Sequence, residues 1–320
     1  GNDILFDDAV CEQGRNFNNK IWNAFRLVKG WQVDDTLPQP DSARIATEWF
    51  ASMLNKVNAE VADLFGKYRL CRELGNGRSG TVYLAYHIEL EEYRAVKIVP
   101  KSIADYDTFR KEALFLKTLR HPGIPIVYDV EEDTGYSYLI EEYLEGESLY
   151  ALVKRMGSLS VKAAVDLGIQ ICRIIQFMNS AENPILYLDL QPKNLLVCNG
   201  DLRLTDFDHA QYASDAAAFG ERYGTIGFAA PEQYTGESLD CRTDVYAIGA
   251  LLFFMSRGHV PGKALEYRNE PEYRKLDRII RGCMERKKEA RYQSAKELQE
   301  TLQELQDRLQ EALDDIERKE

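Results

Sequence analysis

The sequence predicts an α+β protein: a strand-rich region, then a mostly helical one, with a helical hairpin ahead of both. Three observations predict it. Between Leu74 and Ala85 a glycine-rich loop joins two apolar strand-like runs, and further such runs follow to about residue 145. Val161–Met178 and Asp240–Phe254 are strongly apolar helical stretches, the second with a polar start. Between them, the runs Ile185–Leu188, Leu195–Val197 and Leu202–Leu204 read as short buried strands, and Asp189, Asn194 and Asp206 sit at their ends.

The composition sets outer bounds. A chain of 320 residues is long enough for two or three domains and a substantial core, and its 45% apolar fraction is ordinary for a globular protein. A net charge of −12 argues against a general nucleic-acid binder, because phosphate binding needs a basic face. The six cysteines, scattered from Cys11 to Cys283, form no CxxC pair. They read as free thiols in a reducing compartment, which points to a cytoplasmic protein without a zinc site. No apolar run is long enough to span a bilayer and no signal peptide is present, so no membrane partner is expected. The chain starts at Gly1 rather than Met, which suggests a trimmed or internal fragment.

Residues 1 to about 68 form the first unit. They hold all three tryptophans, Trp22, Trp31 and Trp49. Ile21, Trp22, Phe25, Leu27 and Val28 recur at helical spacing, as do Ile45, Trp49, Met53, Leu54 and Val57. Pro38 and Pro40 break any helix between the two sets, and Asp41 or Ser42 can cap the second, so a helical hairpin is expected. Gly14–Val28, with Ile45–Phe50 and the run to about Leu70, resembles the start of the helical anticodon-binding domain of valyl-tRNA synthetases. The adenylate-forming motifs of those enzymes are absent, so no aminoacylation is expected. The resemblance implies a chimera, with this segment as a rigid helical fusion partner; the alternative is a natural extension with accidental similarity.

From about residue 69 the chemistry becomes specific. In Leu74-Gly75-Asn-Gly77-Arg-Ser-Gly80-Thr-Val82, glycines let the backbone approach phosphates with its N–H groups. A lone GxGxxG also fits dinucleotide-binding folds, but here a strand follows rather than a helix, and then Ala95-Val-Lys97. Asp107–Leu119 reads as an amphipathic helix with Phe109, Leu114, Leu116 and Leu119 inward and carries Glu112. The turn signal Cys198–Asp201 implies a hairpin that brings Asn194 and Asp206 together near Asp189, an oxygen-rich group suited to Mg²⁺. Tyr223-Gly-Thr-Ile-Gly-Phe-Ala-Ala-Pro-Glu232 is the most discriminating stretch.

These residues together resemble the protein-kinase superfamily, in particular bacterial Ser/Thr kinases of eukaryotic type. The resemblance implies a bilobal fold, with residues 69–145 as the small lobe, 146–305 as the large lobe and 306–320 as an acidic helical extension. It implies that ATP and Mg²⁺ are used on a protein substrate. Gly75, Gly77 and Gly80 would cover the phosphates, and Val82, Ala95 and Leu196 would enclose the adenine. Backbone groups from Glu142 to Leu144 would hydrogen-bond it, with Glu141 at the rear of the pocket. Lys97, paired with Glu112, would position the phosphates; Asp189 would accept the hydroxyl proton; Asn194 and Asp206 would hold the metal. Asp244 would anchor the catalytic loop, and Glu232 and Arg291 would form a buried structural pair.

Several positions depart from the family pattern. The His-Arg-Asp triplet reads Tyr187-Leu188-Asp189, which removes the docking site for an activation-loop phosphate, so phosphorylation is not expected to be needed to order that loop. Tyr187 would lie against Leu116, Val127 and Phe207. Gln191 replaces a lysine beside the transferring phosphate, so the rate is expected to be low. Asp208 replaces the glycine of the Asp-Phe-Gly triplet, adding a carboxylate near the metal, and Lys193 replaces an acidic residue. Ser214–Gly220 is small and polar and reads as mobile. Two alternatives to an active kinase remain, a nucleotide-binding pseudokinase scaffold and a small-molecule phosphotransferase. Leu298, Leu302, Leu305, Leu309, Leu313 and Ile316 form a heptad-like stripe; its first half reads as the last helix of the large lobe, and residues beyond about Leu305 as an acidic helix that either packs on the N-terminal segment or on a second chain or ends solvated.

Overall fold

The computed structural model describes residues 63–77, 80–101, 103–216, 224–262 and 271–318. The expected helical hairpin up to residue 62, the loop tip at residues 78–79 and residues 217–220 of the expected mobile loop lie outside them. The chain divides into two compact units, residues 1–62 and residues 63–320. All the described residues belong to the second unit.

Its first layer is a six-stranded antiparallel sheet of β1 (Asp63–Leu64), β2 (Tyr68–Gly77), β3 (Gly80–His87), β4 (Glu92–Pro100), β5 (Val127–Glu132) and β6 (Tyr136–Glu142), ordered β1-β2-β3-β4-β6-β5. The sheet thus starts at Asp63, a few residues before the expected boundary. The reason is local: Asp63 and Leu64 pair with Arg69 and Tyr68, and the Tyr68 ring is buried with Ala85, Val96, Tyr138 and Ile140 on one sheet face. On the other face lies α1 (Ile103–Thr118). Its inward residues are Phe109, Phe115 and Leu116, with Leu119 just beyond its end; Leu114, expected inward, is 52% exposed and Phe115 takes its place. Positions 109, 112, 116 and 119 share one helical face, which Leu114 does not.

The second layer is helical. It comprises α2 (Leu149–Met156), α3 (Val161–Asn179), the short α4 (Glu232–Thr235), α5 (Cys241–Arg257), α6 (Pro271–Cys283) and α7 (Ala295–Glu317). Ser160 caps α3 by accepting from the Ala163 N–H, and Asp240 with Thr243 forms a capping box on α5. Gly168 lies where α3 meets α5 and α7; a Cβ there would come within 2.7 Å of Leu252. The leucine stripe of α7 is largely taken up by the chain itself. Leu298, Leu302 and Leu305 are buried, Leu309 packs on the same core, and Gln306 donates to Asp166 of α3. Leu313 is 43% exposed. Among the described residues no helix is long and apolar enough to cross a membrane, and Cys71, Cys172, Cys198, Cys241 and Cys283 are free thiols.

Between the layers run short strands. β7 (Glu147–Ser148), β9 (Leu195–Cys198) and β10 (Asp201–Leu204) form one antiparallel sheet, and β8 (Ile185–Leu186) pairs with β11 (Gln211–Tyr212). The β9–β10 hairpin closes at Asn199-Gly200, both at positive φ, as the turn signal predicts. The strand expected over Ile185–Leu188 stops at Leu186 because Leu188 has φ 66°. One apolar core runs from Val99 and α1 through Tyr187 and Phe207 into α3, α5 and α7.

Candidate active site

The glycine-rich hairpin is built by β2 and β3, whose last partners are Gly75 with Val82, Asn76 with Thr81 and Gly77 with Gly80. Gly80 has φ 145°, and a Cβ there would lie 2.4 Å from the Ile98 carbonyl oxygen, so only glycine fits. Val82 pairs with Lys97, and Leu84 with Ala95, which places the hairpin over the lysine. Ala95 is buried, whereas Leu196 of β9 and Leu144 beyond β6 are half-buried.

Lys97 is buried and its ammonium meets three carboxylates. Glu112 of α1 lies at 2.7 Å, Asp208 at 2.6 Å and Asp206 at 3.6 Å. Burial opposes the charged ammonium, but Glu112, Asp206 and Asp208 outweigh it and hold Lys97 above its ordinary pKa. The second Glu112 oxygen accepts from the Phe207 N–H at 3.3 Å, so this carboxylate ties α1 to the segment carrying Asp206.

Asp189 is held on both oxygens. Gln191 Nε2 and Asn194 Nδ2 donate to Oδ2 at 2.8 and 2.9 Å, and Thr225 Oγ1 donates to Oδ1 at 2.7 Å. The hairpin joins the segments that carry Asn194 and Asp206: the Thr205 N–H donates to the Asn194 carbonyl at 2.9 Å. Because the Asn194 amide nitrogen is bonded to Asp189, its Oδ1 remains the acceptor end. Asp206 has φ 62°, and its side chain is 45% exposed.

Two non-glycine residues of this region, Leu188 and Asp206, are left-handed, and each is held by specific partners. At Leu188, the Asp244 carboxylate accepts from the N–H groups of Tyr187 and Leu188, each at 2.9 Å, while Gln233 Nε2 donates to the Leu188 carbonyl at 2.9 Å. Burial pushes Asp244 up to about 6 against the pull of those two N–H groups. At Asp206, the Tyr187 hydroxyl donates to the Asp206 carbonyl at 2.8 Å and also to that of Thr205. The Tyr187 ring stands edge-on to Phe207 at 5.3 Å, within the core that includes Leu116 and touches Val127. Left-handed backbone at a non-glycine residue carries strain that such partners must offset.

Glu232 and Arg291 form a buried two-bond pair at 2.6 and 2.8 Å. Thr243 also donates to Glu232, and Arg291 donates to the carbonyls of Arg242, Glu285 and Arg286. Glu141 sits opposite Ala95 on β6, half-buried, and burial raises its carboxyl to about 7. The expected hinge contacts need one correction. The Glu142 N–H donates to the Ile126 carbonyl at 2.8 Å, so it is not available to adenine. Its side chain pairs with Arg203 at 2.5 Å. Thr225, Gln233 and Arg203 were not marked by sequence reasoning; the first two lie in or beside the Gly224–Glu232 motif, which was the available signal. Asp208 was expected near the metal, and its contact with Lys97 was not foreseen.

The model of the protein kinase domain matches residues 68–315. A probable serine/threonine-protein kinase of Clostridium acetobutylicum is 29% identical over 263 residues, covering 75% of this chain and 40% of that protein. Serine/threonine-protein kinase PrkC of Bacillus subtilis is 32% identical over 203 residues, covering 61% of this chain and 31% of that protein. The N-terminal region matches valine–tRNA ligases; that of Phocaeicola vulgatus is 52% identical over 154 residues, covering 47% of this chain and 16% of that protein. The chain therefore spans less than half the length of each of these relatives, and its two kinds of match are consistent with a chimera.

Proposed function

Because the chain belongs to the protein kinase family, we propose that it transfers the γ-phosphoryl group of ATP to serine or threonine hydroxyls of a protein substrate. The observation that carries this reading is the Asp189 carboxylate, oriented by Gln191, Asn194 and Thr225 in a chain that also holds the buried Lys97–Glu112 pair. In the proposed reaction the substrate hydroxyl oxygen bonds to the γ-phosphorus as the bond to the β–γ bridging oxygen breaks. ADP leaves, and the hydroxyl proton passes to Asp189. Three donors fix the direction of the Asp189 oxygens, so orientation rather than basicity is its main contribution. Lys97 and the Gly75–Gly80 hairpin place the phosphates, with Gln191 as a neutral donor where a cation would stabilise more charge.

Mg²⁺ is assigned to Asn194 Oδ1 and the Asp206 carboxylate, oxygen donors of the kind it takes beside phosphate oxygens; Asp206 lies in a group of carboxylates with Glu112 and Asp208 whose oxygens are within 4.8 Å of one another. A bound Mg²⁺ would neutralise charge on the phosphates. The adenine is assigned to the space among Val82, Ala95 and Leu196, hydrogen-bonded by the Glu142 carbonyl and the Leu144 N–H. No aminoacylation is assigned to the N-terminal segment.

The test is incubation with Mg·ATP followed by intact-mass measurement of the wild type and Asp189→Ala. The expected result is a gain of one or more phosphates in the wild type alone. Phosphorylation of small alcohols but of no protein would overturn the reading. A second reading is favoured by one contact, that of Asp208 with Lys97: a nucleotide-binding scaffold without transfer. It predicts a nucleotide-dependent rise in Tm with no phosphate on the chain or on generic protein substrates.

A further inference from the structure

We propose that Asp208 is a positioning residue that occupies Lys97 where nucleotide phosphates would bind, so that ATP must displace it. This rests on the proposed nucleotide site. An ammonium has three N–H donors. On Lys97 one is directed to Glu112 at 2.7 Å and a second to Asp208 at 2.6 Å, with Asp206 at 3.6 Å. The Glu112 bond joins the sheet to α1. Asp208 instead comes from the same side as Asp206, the expected phosphate and metal side.

Asp208 is held in that place by its surroundings. Phe207 is buried against Tyr187, its N–H is bonded to Glu112, and the Ala210 N–H closes a turn onto the Phe207 carbonyl. The Lys97 side chain is 6% exposed, so a carboxylate at 2.6 Å forms a charge-assisted bond screened little by water. Glycine at position 208 would leave that donor to an incoming anion; the aspartate supplies an anion from within the chain. The site then holds three contacting carboxylates to one ammonium before any phosphate arrives. Apparent affinity falls in proportion to the fraction of molecules whose Lys97 is released. The penalty applies to the phosphates and not to the adenosine part.

The experiment compares Mg·ATP and adenosine binding by calorimetry at pH 8 for the wild type, Asp208→Asn, Asp208→Ser and Glu141→Gln. Asn keeps the shape of Asp, and Ser is the second variant if Asn fails to fold. Glu141→Gln removes a neighbouring charge that does not touch Lys97. Both Asp208 variants are expected to bind Mg·ATP about tenfold more tightly, the gain if Lys97 is free about a tenth of the time, while adenosine affinity stays within about twofold. Glu141→Gln is expected to give less than about a third of that gain. Unchanged or weaker Mg·ATP binding in the Asp208 variants would overturn the proposal, as would an equal gain from Glu141→Gln, which would mean general charge relief. Absence of both ligands from every protein would instead refute the nucleotide site itself, and the proposal with it.

Discussion

Tyr187, Gln191 and Asp208 are three of the positions where this chain departs from the family pattern, and each has a physical account. The Tyr187 hydroxyl reaches the carbonyls of Thr205 and Asp206 and so supports the left-handed Asp206 backbone. Gln191 donates to Asp189 and orients it without adding charge. Glu141 adds a titrating group behind the pocket. Its carboxyl, raised to about 7 chiefly by burial, becomes charged as pH rises through that value. The extra negative charge then faces the carboxylates around Lys97 and any bound phosphate. Mg·ATP affinity of the wild type relative to Glu141→Gln is expected to fall by about twofold between pH 6 and pH 8. Taking the ratio cancels the nucleotide's own titration; a flat ratio would show that Glu141 does not sense the phosphates. The sign for stability is the same. An acid whose folded pKa exceeds its unfolded value holds the extra proton when folded, so its contribution falls as pH rises from about 4.5 to 7.

The elements that position the site are tied together at a few buried polar joints. Asp244 at the start of α5 holds the Tyr187–Leu188 turn, and Glu232 in α4 is held by Arg291 ahead of α7. Arg291→Ala leaves a buried carboxylate with only Thr243 as a side-chain donor, and is expected to cost about 3–5 kcal/mol, read as a lower denaturant midpoint. Replacing both Glu232 and Arg291 by methionine is expected to recover most of that loss, because no unpaired charge is then buried. If the double variant is as unstable as the single one, the pair contributes more than mutual neutralisation. Most of the helices could be read from apolar periodicity, as with α3, α5 and α7. The inward face of α1 could be read only in part, since Leu114 and Phe115 are adjacent, both apolar, and separated only by which of them meets the sheet.

At the scale of the molecule, residues 63–320 form a compact unit whose main core runs from the sheet into the helices, with smaller apolar clusters beside it, and the kinase-domain match lies within it. A fragment of residues 63–320 is therefore expected to fold alone and to bind Mg·ATP within about twofold of the whole chain. Loss of cooperative unfolding or of nucleotide binding in the fragment would show that residues 1–62 complete the fold. By itself the sequence determined the α+β class, the strand-to-helix order and the hairpin that follows Asn194, because turn chemistry and apolar periodicity are local signals. It determined the Lys97–Glu112 and Glu232–Arg291 pairs only through family resemblance, since their partners lie far apart in the chain. Tertiary structure alone decided that Thr225 caps Asp189, that the Glu142 N–H belongs to Ile126, and that Asp208 rests on Lys97. Those contacts depend on which long-range neighbours reach a given donor first, and no spacing along the chain encodes that.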